Sequence, residues 1–337
     1  FTAENTTNGV ISTQLTVNPS FTSGSLTCPG PEVLFSITVN PTPTVDPISD
    51  QVLCNGETTD EVIFSGLVPG TVFNWSNDLT SIGLASSGNN SIPSFNALNS
   101  GSGALVANVL VVPEFTNGGV TCPGIPEVFT FTVNPSPVVN PIAGLTVCND
   151  GSVLVAFSGT ATEFSWSSSD PTIGSGLSGQ GDLNFTAINS TSIPVSSQFT
   201  VTPSFTVGGV VCTGTSEFFT ITVDPTPDVL PSLDQILCNG SAVSAVTFLG
   251  SVPGTIFNWT NSDPTIGLPA SGSGDISSFN AQNSGPNQVV STIIVTPQFG
   301  LCSGFSDQFT ISVSPTPVVT NSILSEIVCS GVSTSEV

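Results

Sequence analysis

The chain has 337 residues, 23 of them acidic, with no lysine, arginine or histidine, so its formal charge is −23. With no side-chain cation to displace counterions, binding to nucleic acid through phosphates is excluded, and anionic lipid heads find no partner. Tyrosine is also absent, which leaves only carboxylates, hydroxyls and backbone amides for catalysis; an enzyme is not expected.

Hydrophobic residues make up 38% of the chain and fall in short alternating runs, enough for packed β cores. Val, Ile, Thr and Phe dominate these runs, and 27 prolines with 33 glycines interrupt them too often for long helices. The longest apolar run, 104–112, is strand-length and broken by Asn108. It falls short of the ~20 residues a membrane helix needs, so direct membrane insertion of this segment is not expected.

Along the chain one unit of roughly ninety residues recurs, too long for a solenoid turn and suited to one β-domain. Phe1-Thr-Ala-Glu-Asn matches Phe95-Asn-Ala-Leu-Asn, Phe185-Thr-Ala-Ile-Asn and Phe279-Asn-Ala-Gln-Asn. Residues 1–40 therefore read as the C-terminal part of a repeat. Complete repeats follow at 41–134, 135–224 and 225–314, and 315–337 reads as the N-terminal part of the next. Proline-rich phrases divide them: Asn40-Pro-Thr-Pro, Asn134-Pro-Ser-Pro, Asp224-Pro-Thr-Pro and Ser314-Pro-Thr-Pro.

Within the repeat at 225–314, a first strand ends at Cys238 before an Asn239-Gly240 turn. Val246 and Phe248 mark a second strand, and Phe257 with Trp259 a third, followed by the turn at 261–267. Strands through Ile276 to Phe279 and Val289 to Val295 come next. Last, Phe309, Ile311 and Val313 alternate with polar residues, as in a strand with one buried face. Six to eight such strands around a tryptophan predict tandem immunoglobulin-like sandwiches arranged as an elongated string. Trp75, Trp166 and Trp259 are assigned to the cores, since Phe-x-Trp spacing places both rings on one face. An exposed aromatic platform for a glycan is the alternative.

Eight cysteines keep register: Cys28, Cys122, Cys212 and Cys302 before the last strand, and Cys54, Cys148, Cys238 and Cys329 after the first. An even count at fixed places in an extracellular-type chain predicts disulfides. Two pairings stay open. One lies within repeats (Cys54–Cys122, Cys148–Cys212, Cys238–Cys302). The other staples neighbours (Cys54–Cys212, Cys148–Cys302), because the two cysteine positions lie at opposite poles of a seven-stranded sandwich. Pairs such as Cys122–Cys148 would have to fold two strands back on the linker, which disulfide geometry disfavours.

No cofactor or defined metal site is expected. Asp46, Asp224 and Asp228 flank the linkers, where two or three carboxylates with backbone carbonyls could ligate Ca²⁺ between domains; without an EF-hand loop, diffuse screening is the expected role and interdomain ligation the alternative. Asp78, Asp170 and Asp263 recur singly in a turn and read as turn formers. Asn5, Asn189 and Asn258 begin N-glycosylation sequons, a short pattern of low specificity.

The phrases Val147-Cys-Asn, Phe257-Asn-Trp-Thr-Asn-Ser-Asp-Pro-Thr-Ile-Gly and Phe219-Thr-Ile-Thr-Val-Asp-Pro-Thr-Pro resemble the PKD-like repeats of giant surface proteins of Bacteroidota, including adhesins of gliding motility. The likeness spans the whole chain. It implies a surface-displayed stalk or filament for adhesion or movement, exported by the type IX system. The Trp-Asp-Phe-Gly-Asp-Gly signature of true PKD domains is replaced here, so the fold carries over and their ligand behaviour does not. The expected partners are neighbouring repeats, with identical chains of a filament or a glycan or protein ligand as alternatives.

Overall fold

The computed structural model describes residues 1–318 and 327–331. Expected features of the 315–337 segment that fall at 319–326 or 332–337 lie outside the described residues. The described chain is all-β apart from three single-turn 3-10 helices, Thr80–Ile82, Pro171–Ile173 and Pro264–Ile266. Residues 1–40 form β1 (Ile11–Val17), β2 (Ser20–Ser23), β3 (Leu26–Pro29) and β4 (Val33–Val39), with β1 antiparallel to β4 and β2 to β3.

The first complete repeat holds β5 (Gln51–Cys54), β6 (Val62–Ile63), β7 (Val72–Asn77), β8 (Ser87–Asn89), β9 (Ser91–Ile92), β10 (Leu105–Asn117), β11 (Val120–Pro123) and β12 (Glu127–Asn134). The larger sheet runs β5-β12-β10-β7-β8, with β11 hairpinned onto β10, while β6 and β9 form a second, two-stranded sheet. Strand period decides which side chains meet between them. In β10, Ala107, Val109 and Val111 are fully buried while Val106, Asn108 and Leu110 face solvent. In β12, Phe129, Phe131 and Val133 point the same way, and Phe129 and Phe131 pack edge-on at 5.4 Å. Trp75, Phe73, Ile82 and Ile92 complete the core. Each such side chain contributes about 1.5–3 kcal/mol on burial.

β5 pairs with β12 in parallel, the register ending with Cys54 opposite Asn134. The same pairing recurs with Cys148 opposite Asp224 and Cys238 opposite Ser314. The strand order of the larger sheet recurs too, in strands Leu145–Cys148 onward and Gln235–Cys238 onward. An immunoglobulin-like sandwich is thus repeated in tandem.

The chain divides into two compact units: Phe1–Ile142 with Ala156–Trp166 and Thr200–Glu217, and Ala143–Val155 with Ser167–Phe199 and Phe218–Val337. The division falls inside the middle repeat rather than at the proline phrases. Each unit holds one complete repeat and one disulfide-bridged junction.

Candidate functional site at the repeat junctions

The chemistry that recurs in this chain is concentrated where one repeat meets the next. Cys54 is bridged to Cys212, and Cys148 to Cys302, each with Cα atoms 5.5 Å apart. The within-repeat pairings Cys54–Cys122, Cys148–Cys212 and Cys238–Cys302 are therefore not formed. In each bridge the cysteine ending the first strand of one repeat joins the cysteine preceding the last strand of the next. Cys28, Cys122, Cys238 and Cys329 are unpaired.

The linker beside each bridge is pinned at both ends. Asn55 follows Cys54, and its Nδ2 donates to Ser136 Oγ in the middle of the proline phrase. Asn149 does the same to Thr226, and Asn239 to Thr316, at 3.2 and 3.0 Å. The Oδ1 atoms of these asparagines accept the backbone N–H of Asn99, Asn189 and Asn283. On the far side, glycines two residues after the second cysteine meet the linker. A Cβ on Gly124, Gly214 or Gly304 would overlap the carbonyl oxygen of Pro43, Pro137 or Pro227. Only glycine admits a backbone so close.

A third contact latches the junction. Asn134 ends β12 and is fully buried; its Nδ2 donates to the carbonyls of Val207 and Val210, which flank the Gly208-Gly209 hairpin turn. Asn40 engages Asn117 O and Val120 O in the same way, and its Oδ1 also accepts from Asn117 Nδ2. Because Val207 replaces that asparagine in the second hairpin, Asn134 Oδ1 is buried without a partner. The third junction differs. Its hairpin closes at Phe299↔Cys302, where the others run on from Phe115↔Cys122 to Asn117↔Val120 and from Phe205↔Cys212 to Val207↔Val210. The latch residue there is Asp224, a carboxylate that cannot donate to carbonyls. This junction keeps the bridge and lacks the amide latch.

Two of the three residues considered for cations, Asp46 and Asp228, are engaged within the fold. Asp46 accepts the Ser65 hydroxyl, and Asp228 accepts both the backbone N–H and hydroxyl of Ser251, which hold its carboxyl below the ordinary value. No group of three or more His, Cys, Asp or Glu residues suited to a metal occurs among the described residues. Asp170 and Asp263 cap the 3-10 turns, each accepting the hydroxyl and backbone N–H of the Thr two residues on, which lowers their pKa. Asp78 is a correction. It stands one position earlier in its turn, where Ser169 and Ser262 stand in the other repeats, and receives the Asn108 side-chain and backbone N–H groups that lower its pKa. Ser169 and Ser262 receive the N–H groups of Gln198 and Thr292 in the same way.

Trp75 and Trp259 are buried, with their indole N–H groups donated to Ser91 O and Gly274 O, and Trp166 is half-buried. Two of the sequon asparagines serve the fold. Asn5 Nδ2 donates to Gly9 O and Val39 O, and Asn189 Nδ2 to Ile193 O and Val223 O. Asn99 and Asn283 do the same in their repeats. Asn258 is exposed and bonded to Gln298. The recurring Phe-x-Ala-x-Asn phrase carried the signal for this buried amide, and the recurring Cys-Asn and Cys-x-Gly pairs for the pinned linker. The Asn134 latch had no local signal.

No protein-family model matches the chain, and no curated protein matches it. Solved structures resemble it at low identity. Repeats EC22–24 of mouse cadherin-23 share 12% identity at a TM-score of 0.35, over 82% of this chain and 99% of that one. Repeats EC1–4 of Drosophila N-cadherin share 12% at 0.32, over 91% and 84%. The insect immune protein hemolin shares 11% at 0.27, over 84% and 79%. Scores this low carry no functional inference. No helix among the described residues is long and apolar enough to cross a membrane.

Proposed function

We propose that the chain is a structural segment of a long extracellular stalk or filament, without catalytic activity. Its domains are the repeats 41–134, 135–224 and 225–314, flanked by partial repeats at 1–40 and 315–337. The observation that carries this reading is the bridging of consecutive repeats by Cys54–Cys212 and Cys148–Cys302. A ligand-binding module has no need to bond its neighbours covalently, whereas a fibre that must resist bending and pulling does. Disulfides persist in oxidising, extracytoplasmic settings, which supports the location. Uniform negative charge keeps neighbouring fibres apart, the more so at low salt. The resemblance to PKD-like repeats adds the finer reading: display on a Bacteroidota surface, type IX export, and adhesion or gliding.

Negative-stain imaging of the oxidised chain beside the Cys54→Ser/Cys212→Ser/Cys148→Ser/Cys302→Ser variant tests this. The stalk reading expects a narrow distribution of inter-repeat angles that broadens without the bridges. An unchanged distribution would sink it. Glycan binding is the weaker reading, because burial of Trp75 and Trp259 leaves them no platform to offer.

A further inference from the structure

Between the proline phrase and the first strand of each repeat runs a short segment that covers the core, and in the repeat at 225–314 that cover is incomplete. Ile48 packs on the core of the first complete repeat, and Ile142 stands half-buried at the same position of the second. The third repeat has Ser232 there, and its nearest aliphatic side chain, Leu233, lies one position on and is exposed. The facing chain shows the consequence. Val62 is buried in the first repeat, whereas its counterpart Val246 is only half-buried. Along Ser232 and Val246 runs a groove of about 530 Å³, with Leu230 and Leu249 towards one end and Gln235 and Ser244 towards the other.

Backbone is open in this groove too. Leu230 N–H donates to Leu249 O, and the Gln235 side-chain amide bonds both the N–H and the C=O of Ser244. Between those two points residues 231–234 make no backbone bond to the facing chain. Val246 exchanges both of its backbone bonds with Ile276, and Phe248 N–H goes to Asp275 beside it. By strand alternation the N–H and C=O of Thr247 turn the other way, to the groove that Thr247 lines. They find no partner among the described residues. Two carboxylates border the slot. Asp307 accepts Ser232 N–H through Oδ2, and Asp234 accepts Thr310 N–H through Oδ1, which leaves its Oδ2 unbonded.

We infer that this groove docks an extended cationic peptide segment, which pairs its backbone with Thr247 and lays a branched aliphatic side chain over Val246. The chain itself shows what the slot takes, since Ile48 occupies it in the first complete repeat. Charge selects the partner. A second copy of this chain brings 23 carboxylates and no side-chain cation. A lysine or arginine two residues from the aliphatic side chain lies on the same face of an extended strand, where it meets the carboxylates of Asp234 and Asp307. Backbone pairing supplies affinity, and the aliphatic slot with its acidic border supplies selectivity, as in other strand-addition sites. The site goes beyond the stalk reading and does not depend on it: one repeat carries a docking point, and the bridges are untouched.

The test is titration calorimetry of the oxidised full chain with the peptide acetyl-Lys-Thr-Ile-Thr-Lys-amide. The expected result is saturable binding at one site per chain, weakened by added salt. Ser232→Ile refills the slot from within and should lower the affinity about tenfold or more, the effect of burying one aliphatic side chain. A peptide with serine in place of isoleucine should bind the parent as poorly. Asp234→Asn keeps an acceptor for Thr310 N–H; it should weaken binding of the lysine peptide while leaving thermal unfolding unchanged, which separates loss of the site from loss of the fold.

Absence of binding, an affinity indifferent to Ser232→Ile, or equal binding of a peptide with glutamate in place of lysine would overturn the inference. Self-association of the chain, seen by light scattering and lost in Ser232→Ile, would assign the groove to a second copy and overturn it as well. None of these outcomes bears on the inter-repeat angles by which the stalk reading is tested.

Discussion

Trp259 and Gly272 are cross-strand partners, and the indole occupies the space that a side chain on Gly272 would fill. Trp75 and Gly88 repeat the arrangement in the first complete repeat. Both glycines have backbone angles that alanine adopts freely, since neither lies at positive φ. The absence of a side chain at these two positions is therefore a packing requirement set by the tryptophan.

Gly88→Ala and Gly272→Ala should each destabilise their repeat by about 1–3 kcal/mol through overpacking. Gly103→Ala, with nothing nearby to strike, should be close to neutral. Urea unfolding followed by tryptophan fluorescence separates the two cases; equal effects would refute the packing account. Trp259→Ala leaves a cavity instead and should cost about 3–5 kcal/mol.

Asn134 offers a gain as well as a loss. Val207→Asn would place an amide where Asn117 stands in the first hairpin, giving the buried Asn134 Oδ1 its missing donor. A stabilisation of about 0.5–1.5 kcal/mol is expected. Asn134→Asp should do the opposite, because a carboxylate would face the Val207 and Val210 carbonyls. Thermal unfolding of both variants with the bridges intact checks the pair.

How much of this was legible differs by residue. The sandwich was readable because a period of two in segments such as Phe309-Thr-Ile-Ser-Val requires nothing beyond the local chain. The cysteine register was visible too, yet the pairing stayed open, because it depends on which pole of one repeat faces the next. Asp78 was misplaced by spacing alone: Asp-Leu-Thr in its turn imitates the Asp-Pro-Thr of the other two while lying one residue earlier. Asn134 was silent, since its partners lie more than seventy residues away and it sits in a phrase that already reads as a linker.

Acid should loosen the 3-10 turns. Asp170 and Asp263 are held below the ordinary 3.8 by the threonine hydroxyls and backbone N–H groups they accept. A depressed folded pKa means that their contribution is complete above the unfolded value of about 3.9 and is lost as pH falls through the folded values. Protonation also discharges a chain with no compensating cation, which opposes the loss. Comparing urea midpoints from neutral pH to pH 3 for the parent and for Asp170→Asn/Asp263→Asn isolates the turns: the variant should show the shallower decline.

Reduction should act unequally along the chain. The junction at Asn134 retains its latch when Cys54–Cys212 is opened, whereas the junction at Asp224 has only Cys148–Cys302 and the pinned linker. Spin labels flanking each junction should report a larger increase in distance spread at Asp224 on adding reductant. A larger increase at Asn134 would contradict the role given to the amide.

The overlap of the two bridges has a consequence for damage. The loop closed by Cys54–Cys212 begins before Cys148 and ends before Cys302, so the two loops interlock along the sequence. A protease that cuts the backbone anywhere between Cys54 and Cys302 leaves a covalent route around the break. Even one cut in each outer stretch of the overlap leaves three fragments joined in series. The chain is built like a spliced rope, in which a severed strand does not part the line.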